Sequence, residues 1–339
     1  MRYLVDPYGV FGSGWLPYSS DPNLRFLKVE HIREYPRRYT GLLFGSSRTA
    51  PFDPAVFARY RSDSRIYNFA FNTGTPDDYL MILRYCLDYG LRIKEVLIQL
   101  DPDVLTNSSR MDARSKAERY GLVYRHHPDV SGSSRLLFFL DNIFLVPHQA
   151  MLDKWRYNNS PGVPVSFDIS GDGRSHFLFS ERPLVADPEA YYANSDRFLK
   201  PRVTARRKAS GFVSFHLAPL RELVGLARKN GIELILWIAP LNQHLMDEID
   251  AASYLALIRE LSGIHPFWNF GAYNDVTQNN RNYYERSHPR PFVGAIMASR
   301  MLGDGRGTPE GFGRLVTPER IEVEGEILAT EFARRDARR

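Results

Sequence analysis

Cysteine is almost absent from this 339-residue sequence. The single thiol, Cys86, excludes an intramolecular disulfide and leaves the redox compartment of the protein open. Cys86 lies within a periodic apolar stretch, which predicts a small core residue rather than a reactive one.

Long apolar runs are also missing. The strongest run, residues 136–140, is far shorter than the ~20 residues that span a bilayer. The first nine residues lack the basic, apolar and cleavage regions of a signal peptide. Residues 3–5 would suit the end of an anchor helix, so we expect a membrane anchor, absent from this chain, to precede them.

Neither sign of charge strongly predominates, since the sequence has 44 basic and 39 acidic residues and a net charge of +5. This excess is compatible with an anionic polymer, a membrane surface or no particular partner. No nucleic-acid-binding motif accompanies it, so no nucleic-acid partner is expected. A basic cluster at residues 200–208 fits a solvated linker better than a surface for uronates or lipid heads, although both remain open.

Metal-ligand spacing is lacking as well. His126, His127 and His148 do not have the spacing of a closed metal site. Residues 168–173 resemble the start of a calcium loop, but Phe179 occupies the position of the bidentate acid, which indicates a polar turn. We therefore expect neither a metal nor a cofactor.

Short apolar runs alternate with helical patterns along the chain. Apolar character and flanking turn residues predict buried strands at 41–45, 66–71, 96–100, 232–238 and 267–270. Apolar periodicity and capping residues predict helices that begin at Pro54 and that cover 75–90, 217–229, 249–261 and 291–302. This alternation predicts an α/β fold, a three-layer α/β/α sandwich with a parallel central sheet of the flavodoxin-like kind.

Four segments follow from this pattern. Residues 1–40 are interpreted as an N-terminal extension and 306–339 as a C-terminal segment, whose final arginine pairs read as a frayed tail. Residues 41–305 form the predicted main domain. Residues 106–210 break the rhythm between the third and fourth core strands, and we interpret them as a large insertion on the rim of the sheet.

Two short motifs carry residues suited to nucleophilic chemistry. Gly45-Ser46-Ser47-Arg48 directly follows the first predicted strand, where open α/β sheets place their sites. Ser47 there needs a base to become a nucleophile. Near the C-terminus, Glu285 precedes His288 by three residues, so its carboxylate is able to orient the imidazole. Taken alone, each motif is better explained by a capped turn or by a surface histidine.

Together and in this order, the motifs resemble the SGNH (GDSL-like) hydrolase superfamily. They are most similar to SGNH proteins of bacterial envelope polysaccharide systems, the relatives of alginate O-acetyltransferases. The resemblance covers residues 1–105 and 215–305. It is carried by Leu43-Phe44-Gly45-Ser46-Ser47-Arg48, Tyr67-Asn68-Phe69-Ala70-Phe71, Trp268-Asn269-Phe270 and Ser287-His288-Pro289-Arg290-Pro291-Phe292-Val293-Gly294.

The resemblance implies roles for individual residues. Ser47 takes the nucleophile position, His288 the general base and Glu285 the orienting acid. The backbone N–H groups of Ser47 and Gly74 take the oxyanion positions, with Thr73 as the alternative to Gly74. The candidate substrate-binding residues are Arg48, Asn72 and Asp101.

Departures from the pattern of this superfamily accompany the match. Ser46 stands where the superfamily has Asp, and Glu285 replaces the usual Asp. Asp101 follows the third strand in place of an oxyanion-binding Asn, and a carboxylate there would repel an oxyanion.

The implied function is extracytoplasmic O-acyl transfer, acetyl above all, or ester hydrolysis on an envelope or secreted polysaccharide. An acyl-serine intermediate would form, and a membrane-bound acyltransferase would supply the acyl groups. The resemblance places the protein in the periplasm, anchored to the inner membrane. A catalytically inactive SGNH fold that binds or assembles polysaccharide is the alternative, and a simple lipase-like esterase is a third class.

Overall fold

Six strands form one central sheet in the order β2-β1-β3-β6-β7-β8. All neighbours pair in parallel except β7 and β8, which are antiparallel. The computed structural model describes residues 1–106, 112–127, 132–160, 162, 166–199 and 213–338. The strands are β1 Gly41–Phe44, β2 Ile66–Asn68, β3 Glu95–Leu100, β4 Ser166–Phe167, β5 Ser175–His176, β6 Glu233–Ile238, β7 Phe267–Asn269 and β8 Arg314–Val316.

Helices cover both faces of this sheet. They are α1 Arg2–Val5, α2 Leu24–Glu34, α3 Pro54–Ala58, α4 Pro76–Asp88, α5 Pro102–Leu105, α6 Ala113–Tyr120, α7 Gly132–Phe144, α8 His148–Asn159, α9 Leu178–Ala186, α10 Pro188–Ala193, α11 Val213–Lys229, α12 Gln243–Met246, α13 Ala251–Ser262, α14 Pro291–Leu302 and α15 Ile321–Asp336. Short 3₁₀ helices lie at Leu122–Tyr124, Ser195–Arg197, Asn280–Asn282 and Pro318–Arg320.

Successive residues of the strands point into two separate cores. Leu42 and Phe44 join the core under α2, α4, α11, α13 and α15, whereas Leu43 joins the core under α3 and α14. Both faces of a parallel sheet need such helical cover, because its strands are apolar throughout. The molecule is therefore an α/β three-layer sandwich, as the sequence predicts.

The predicted core elements agree closely with the observed ones. Helix α14 has the predicted bounds, and strand β3 begins one residue earlier than predicted. Strand β2 ends at Asn68 rather than at residue 71. The carbonyls of Asn68 and Ala70 instead accept hydrogen bonds from Nζ of Lys28, at 3.0 and 2.5 Å. Cys86 is a buried core residue, as predicted.

The C-terminal segment belongs to the fold, which corrects the prediction of a frayed tail at Arg335. β8 adds an antiparallel edge strand to the sheet, and α15 buries Leu328 and Phe332 in the main core. The guanidinium of Arg335 forms an ion pair with Asp247, with Nη2 and Oδ2 2.6 Å apart. Neither feature follows from local periodicity, because the pairing partners are distant in sequence.

The N-terminal extension also contributes to the core through α2. Leu24, Val29 and Ile32 of this helix pack among the residues of the main core. Lys28 on the same helix is fully buried, and its ammonium also donates to the carbonyl of Gly173 at 2.8 Å. This residue thus joins α2, the end of β2 and the 168–174 turn.

A buried cluster of charges ties the 106–210 insertion to the sandwich. Asp78 at the start of α4 accepts from Arg25 of α2 and Lys116 of α6, at 3.1 and 2.5 Å. His126 lies 2.8 Å from the same carboxylate. Burial alone would raise the pKa of Asp78, but these three partners hold it well below its usual value.

Several further segments named in the sequence analysis are located as follows. The 168–173 segment is a turn in which Asp168 accepts from the backbone N–H of Gly171 at 3.1 Å. No group of acidic, histidine or cysteine side chains suited to a metal ion occurs in the described ranges. The basic cluster at 200–208 lies outside them. No helix of the described segments has the length and apolar character to cross a bilayer.

Candidate active site

Ser47 lies directly beyond the carboxyl end of β1, in a tight turn. The carbonyl of Ser46 accepts from the N–H groups of Thr49 and Ala50, at 3.0 and 3.2 Å, which closes one helical turn before the regular helix α3 begins. A Cβ atom on Gly45 would lie 2.0 Å from Oγ1 of Thr49, so the turn requires glycine there. The turn presents Ser47 half-buried, while Ser46 is buried.

The location of this turn in the sheet explains why it is suited to bind a ligand. β1 lies between β2 and β3, and the strand order reverses between β1 and β3. At such a reversal the two adjacent connections leave toward opposite faces and open a crevice at the carboxyl edge. Ser47 follows β1, and Asp101 and Asp103 follow β3, so all three side chains belong to this crevice.

The segment that carries His288 is a short hairpin. The N–H of Tyr284 donates to the carbonyl of His288 at 2.9 Å, and Tyr283 pairs with Pro289 in an antiparallel bridge. The hydroxyl of Tyr283 is buried and donates to the carbonyl of Pro240 at 2.9 Å. The hairpin is thereby fixed to the end of β6, directly before α14 begins.

The structure brings Ser47, His288 and Glu285 into one hydrogen-bonded chain. Nε2 of His288 lies 2.9 Å from Oγ of Ser47, and Nδ1 of the same ring bonds the carboxylate of Glu285. The other oxygen of Glu285 accepts from the N–H of Ser287 at 3.0 Å. Because a carboxylate accepts only, Nδ1 carries the proton and Nε2 is left to accept from Ser47.

The electrostatics of Glu285 favour its charged form. Burial raises the pKa of this carboxyl. The hydrogen bonds from His288 and Ser287 together lower it by more than that, so the pKa lies below the ordinary value of 4.5. The carboxylate therefore stays ionised at neutral pH beside the imidazole. This arrangement both orients the ring and stabilises an imidazolium.

Arg48, a candidate for substrate contact, is held by groups of the protein itself. Its side chain is buried and forms ion pairs with Asp101 and Asp103, at 2.7 and 2.8 Å. Its Nε donates to the carbonyl of Ser287 at 3.1 Å. All of these groups belong to the protein, so Arg48 connects the Ser47 turn to the His288 hairpin.

The same pairs change the interpretation of Asp101. The sequence suggests a free carboxylate that repels an oxyanion, but Asp101 is buried against the Arg48 guanidinium. Burial raises the pKa of Asp101 above its usual value even though Arg48 lowers it. Asp103 completes the cluster, and sequence reasoning missed it, although it stands only two residues beyond Asp101.

The predicted oxyanion donors differ in their availability. Gly74 is unsuitable as the donor in this structure, because its N–H bonds the carbonyl of Phe71 at 3.2 Å. Among the described residues, neither Ser47 nor Thr73 has an acceptor for its backbone N–H. Thr73 has a left-handed φ of 52°, and the following Gly74 packs against the Gly45 carbonyl, where a Cβ would lie at 2.4 Å. The alternative donor, Thr73, therefore fits better.

Asn72 remains a candidate for substrate contact. Its side chain is exposed, while its carbonyl accepts from Nη2 of Arg25 at 3.2 Å. Arg25 thus holds the loop that carries Asn72, and the side-chain amide of Asn72 faces solvent.

The insertion supplies one wall of the site, which the sequence did not indicate. The ring of Phe177 meets the imidazole of His288 edge-on, with 5.2 Å between ring centroids. The hydroxyl of Tyr191 donates to the carbonyl of Tyr284 at 2.7 Å, and the hydroxyl of Tyr284 bonds Glu181. No local motif marks these residues, because their partners are about a hundred positions away.

A cavity of about 490 Å³ adjoins the segments that carry the Ser47–His288 pair, although neither of these two residues lines it. All but one of its lining residues are polar or charged, and they carry both signs of charge. The residues that line it are Arg48, Asp103, Asp196, Arg197, Leu245, Glu285, Arg286 and Ser287.

Fold and site together define an α/β sandwich protein with a Ser–His–Glu constellation at the carboxyl edge of its sheet. Residues 24–161 match the model of a family described as "Protein of unknown function (DUF1574)". The matched segment contains Ser47 and the first three strands but ends before Glu285 and His288. No protein of curated function matches the sequence.

Proposed function

We propose that this protein is a serine-dependent O-acyl transferase or esterase of the SGNH type. The observation that carries the proposal is the 2.9 Å hydrogen bond between His288 Nε2 and Ser47 Oγ, with Glu285 on the opposite ring nitrogen. A hydroxyl becomes a useful nucleophile when a base of this kind removes its proton as it attacks. The resemblance of both motifs to the SGNH superfamily supports the same chemistry.

The first half-reaction transfers the acyl group to Ser47. Oγ attacks the ester carbonyl while His288 Nε2 takes the hydroxyl proton. The C–O bond to the donor alcohol then breaks, and the departing oxygen receives that proton from His288. An acyl-serine remains, and the Glu285 carboxylate stabilises the transient imidazolium.

The second half-reaction returns the enzyme to its starting state. His288 removes a proton from a sugar hydroxyl, in a transferase, or from water, in an esterase. The oxygen of that acceptor attacks the acyl carbonyl, and the bond to Ser47 Oγ breaks as Oγ regains its proton. Which acceptor wins depends on how well the bound acceptor excludes water.

Stabilisation of the tetrahedral oxyanion would come from backbone groups. The N–H of Ser47 and the N–H of Thr73 have no acceptor among the described residues and flank the same crevice. Each such donor contributes on the order of 3 kcal/mol to the transition state. The pairing of Asp101 with Arg48 removes the repulsion that a free carboxylate would exert.

The substrate class is suggested by the walls of the site. The 490 Å³ cavity next to the Ser47 turn is lined mainly by charged and hydroxyl side chains, which suits a polar saccharide better than a long acyl chain. We therefore favour a short acyl group, acetyl above all, and a polysaccharide acceptor over a lipase-like activity.

The cellular setting follows from the resemblance alone. SGNH proteins of this type work outside the cytoplasm on envelope or secreted polysaccharides. We propose the same location, with a membrane anchor that precedes this chain and a membrane-bound acyltransferase as the acyl donor.

A small activated ester tests the chemistry directly. We expect the parent to release 4-nitrophenol from 4-nitrophenyl acetate and to gain one acetyl group on Ser47 in intact-mass and peptide analysis. Ser47→Ala should lose the adduct and about a thousandfold or more in rate. The exposed Ser160→Ala is the matched control and should keep both.

A catalytically inactive polysaccharide-binding or assembly protein is the second candidate. The replacement of the oxyanion-binding Asn by Asp101 favours it. Equal background hydrolysis by the parent and Ser47→Ala, together with no adduct on Ser47, would select this candidate and reject the enzyme.

A further inference from the structure

Helices α7 and α8 form a hairpin whose outer surface is apolar. Leu136, Leu137 and Phe144 of α7, and Leu145 just after it, keep between 58% and 64% of their surface exposed. On α8, Leu152 and Trp155 are 49% and 55% exposed. We refer to these six side chains as the hairpin face.

The spacing on α7 shows that this exposure is a property of one helix face. Leu136, Leu137 and Phe144 recur at intervals of one and seven residues, with the partly buried Leu140 between them, so they lie on one side of the helix. The opposite side carries Phe138 and Asn142, which are both buried. The usual arrangement of an amphipathic helix, with its apolar side inward, is thus extended here by a second apolar side that faces out.

Contacts on the inner side hold the hairpin in this orientation. The ring of Phe138 stacks on Phe26 of α2, with 5.0 Å between centroids. Nζ of Lys154, buried on α8, donates to the carbonyl of Asp6 at 2.6 Å. Rotation of either helix to hide the hairpin face would break these contacts, so the outward apolar surface is built into the fold.

The N-terminal helix α1 extends the apolar surface. α1 packs against both α7 and α8. The guanidinium of Arg2 donates to the carbonyl of Phe144 at 3.0 Å, which places α1 at the exposed end of α7. Tyr3 and Leu4 of α1 are about half exposed. Exposed apolar residues of three helices in contact form a continuous patch, whereas single exposed apolar residues are what a soluble protein normally shows.

We infer that the hairpin face rests on the surface of an anionic lipid bilayer, with Leu and Phe side chains of α7 in the acyl boundary. The combination of leucine and phenylalanine with tryptophan and tyrosine is the composition of interfacial helices. α8 carries exposed polar side chains beside Trp155, and these can form hydrogen bonds with lipid headgroups and interfacial water. This contact is made by the folded domain itself and is separate from any anchor that precedes it.

The charges of the hairpin favour anionic lipid. Its two carboxylates, Asp141 and Asp153, both have arginine partners, in Arg125 and Arg156. Arg2 and Arg135 add positive charge next to the apolar residues. Among the residues that the structure describes, the surface around the hairpin face is therefore positive, and anionic headgroups within a Debye length are attracted to it.

A protein partner fits these observations less well than a bilayer. A protein interface that buries α8 would have to pair the exposed polar groups of His148, Gln149 and Asn159 one by one. Lys154 and Tyr157 of α8 line a nearby cavity of about 460 Å³, but no member of the hairpin face lines it.

Vesicle flotation tests the inference on the whole chain. We expect the parent to float with phosphatidylcholine vesicles that contain phosphatidylglycerol, and less with phosphatidylcholine alone. The double variant Leu137→Glu/Phe144→Glu should partition roughly tenfold more weakly or worse, because two apolar contacts become charges. The matched control, Val185→Glu/Val323→Glu, alters two exposed valines elsewhere and should float like the parent.

Trp155 provides a second readout that a change in folding does not mimic. In a Trp15→Phe background the remaining tryptophans are Trp155, Trp237 and Trp268, and Trp237 is fully buried. Lipids brominated on the acyl chains should quench the emission of Trp155 on binding, and the additional change Trp155→Phe should remove that quenching.

Three results would overturn the inference. The first is equal flotation of the parent and the Leu137→Glu/Phe144→Glu variant, and the second is no binding to either vesicle. The third is a dimer in light scattering that the same double variant dissolves, since the face would then join two copies. Ser47→Ala should bind vesicles like the parent, so this test stands or fails independently of the proposed enzymatic function.

Discussion

The guanidinium of Arg48 donates to the backbone carbonyl of Ser287, with Nε and O 3.1 Å apart. It thus connects the residue after the proposed nucleophile to the residue before its proposed base. Asp101 and Asp103 balance the buried charge from the end of β3. One side chain therefore fixes the segments after β1 and β3 and the His288 hairpin relative to one another, and the distance from Ser47 to His288 depends on it.

Removal of Arg48 should destabilise the fold and the site together. Arg48→Met leaves the buried carboxylate of Asp101 and the partly buried carboxylate of Asp103 without their cation, which costs about 3–5 kcal/mol in the free energy of unfolding. Denaturant unfolding measures this loss. The triple variant Arg48→Met/Asp101→Asn/Asp103→Asn should regain most of the stability but not the esterase rate. An Arg48→Met protein as stable as the parent would contradict the role of the ion pairs.

Glu285 should govern both rate and acid stability. Glu285→Gln keeps the shape but loses the carboxylate that holds the imidazole, so kcat should fall by about 10²- to 10⁴-fold. The pKa of Glu285 is lowered in the folded protein, so its stabilising contribution is present above the ordinary value of 4.5 and is lost as pH falls through the lower folded pKa.

The measurement is the difference in unfolding free energy between the parent and Glu285→Gln as a function of pH. It should be constant near neutrality and shrink in acid below pH 4.5. A difference that grows on acidification would show that the carboxylate is not favoured in the folded state.

Lys28 should make stability depend on pH in the alkaline range. Burial lowers the pKa of Lys28 to about 7, with Asp172 raising it in part. The unfolded chain then carries a proton that the folded protein has released, so the contribution of this residue to the unfolding free energy rises with pH above 7, by up to about 1.4 kcal/mol per pH unit.

Urea unfolding between neutral pH and the onset of tyrosine ionisation measures this slope. Lys28→Met should flatten it, whereas Lys229→Met, a change of an exposed lysine on α11, should leave it as in the parent. Identical slopes for the parent and Lys28→Met would mean that the three carbonyls keep the ammonium charged throughout.

Phe177 should act on the rate through the imidazole. Phe177→Leu retains an apolar side chain but removes the ring edge against His288, so kcat should fall several-fold while the unfolding free energy changes little. The neighbouring Phe179→Leu, at an exposed position, is the matched control. A loss confined to KM in Phe177→Leu would assign this ring to substrate binding instead.

The limits of sequence inference are clearest in the residues around Ser47. The strand before it and the fixed interval between Glu285 and His288 are local patterns, and both were predictable. Lys28, Phe177 and Tyr191 carry no such pattern, because a buried lysine, a phenylalanine and a tyrosine are ordinary residues until a partner distant in sequence is placed beside them. Arg48 was noticed as a candidate for substrate contact, but the sequence cannot show that the carboxylates of Asp101 and Asp103 pair with it.

The order of apolar runs and helix caps determined by itself that this chain forms an α/β sandwich with Ser47 at a strand end. The periodicity of apolar residues that distinguishes strands from helices is a local property of each segment. Only the tertiary structure decided that His288 meets Ser47 across 241 positions, that Arg48 is enclosed, and that α7 turns apolar side chains outward. Those outcomes depend on which surfaces pack together. Packing energy is a property of pairs of distant segments, and no single segment encodes it.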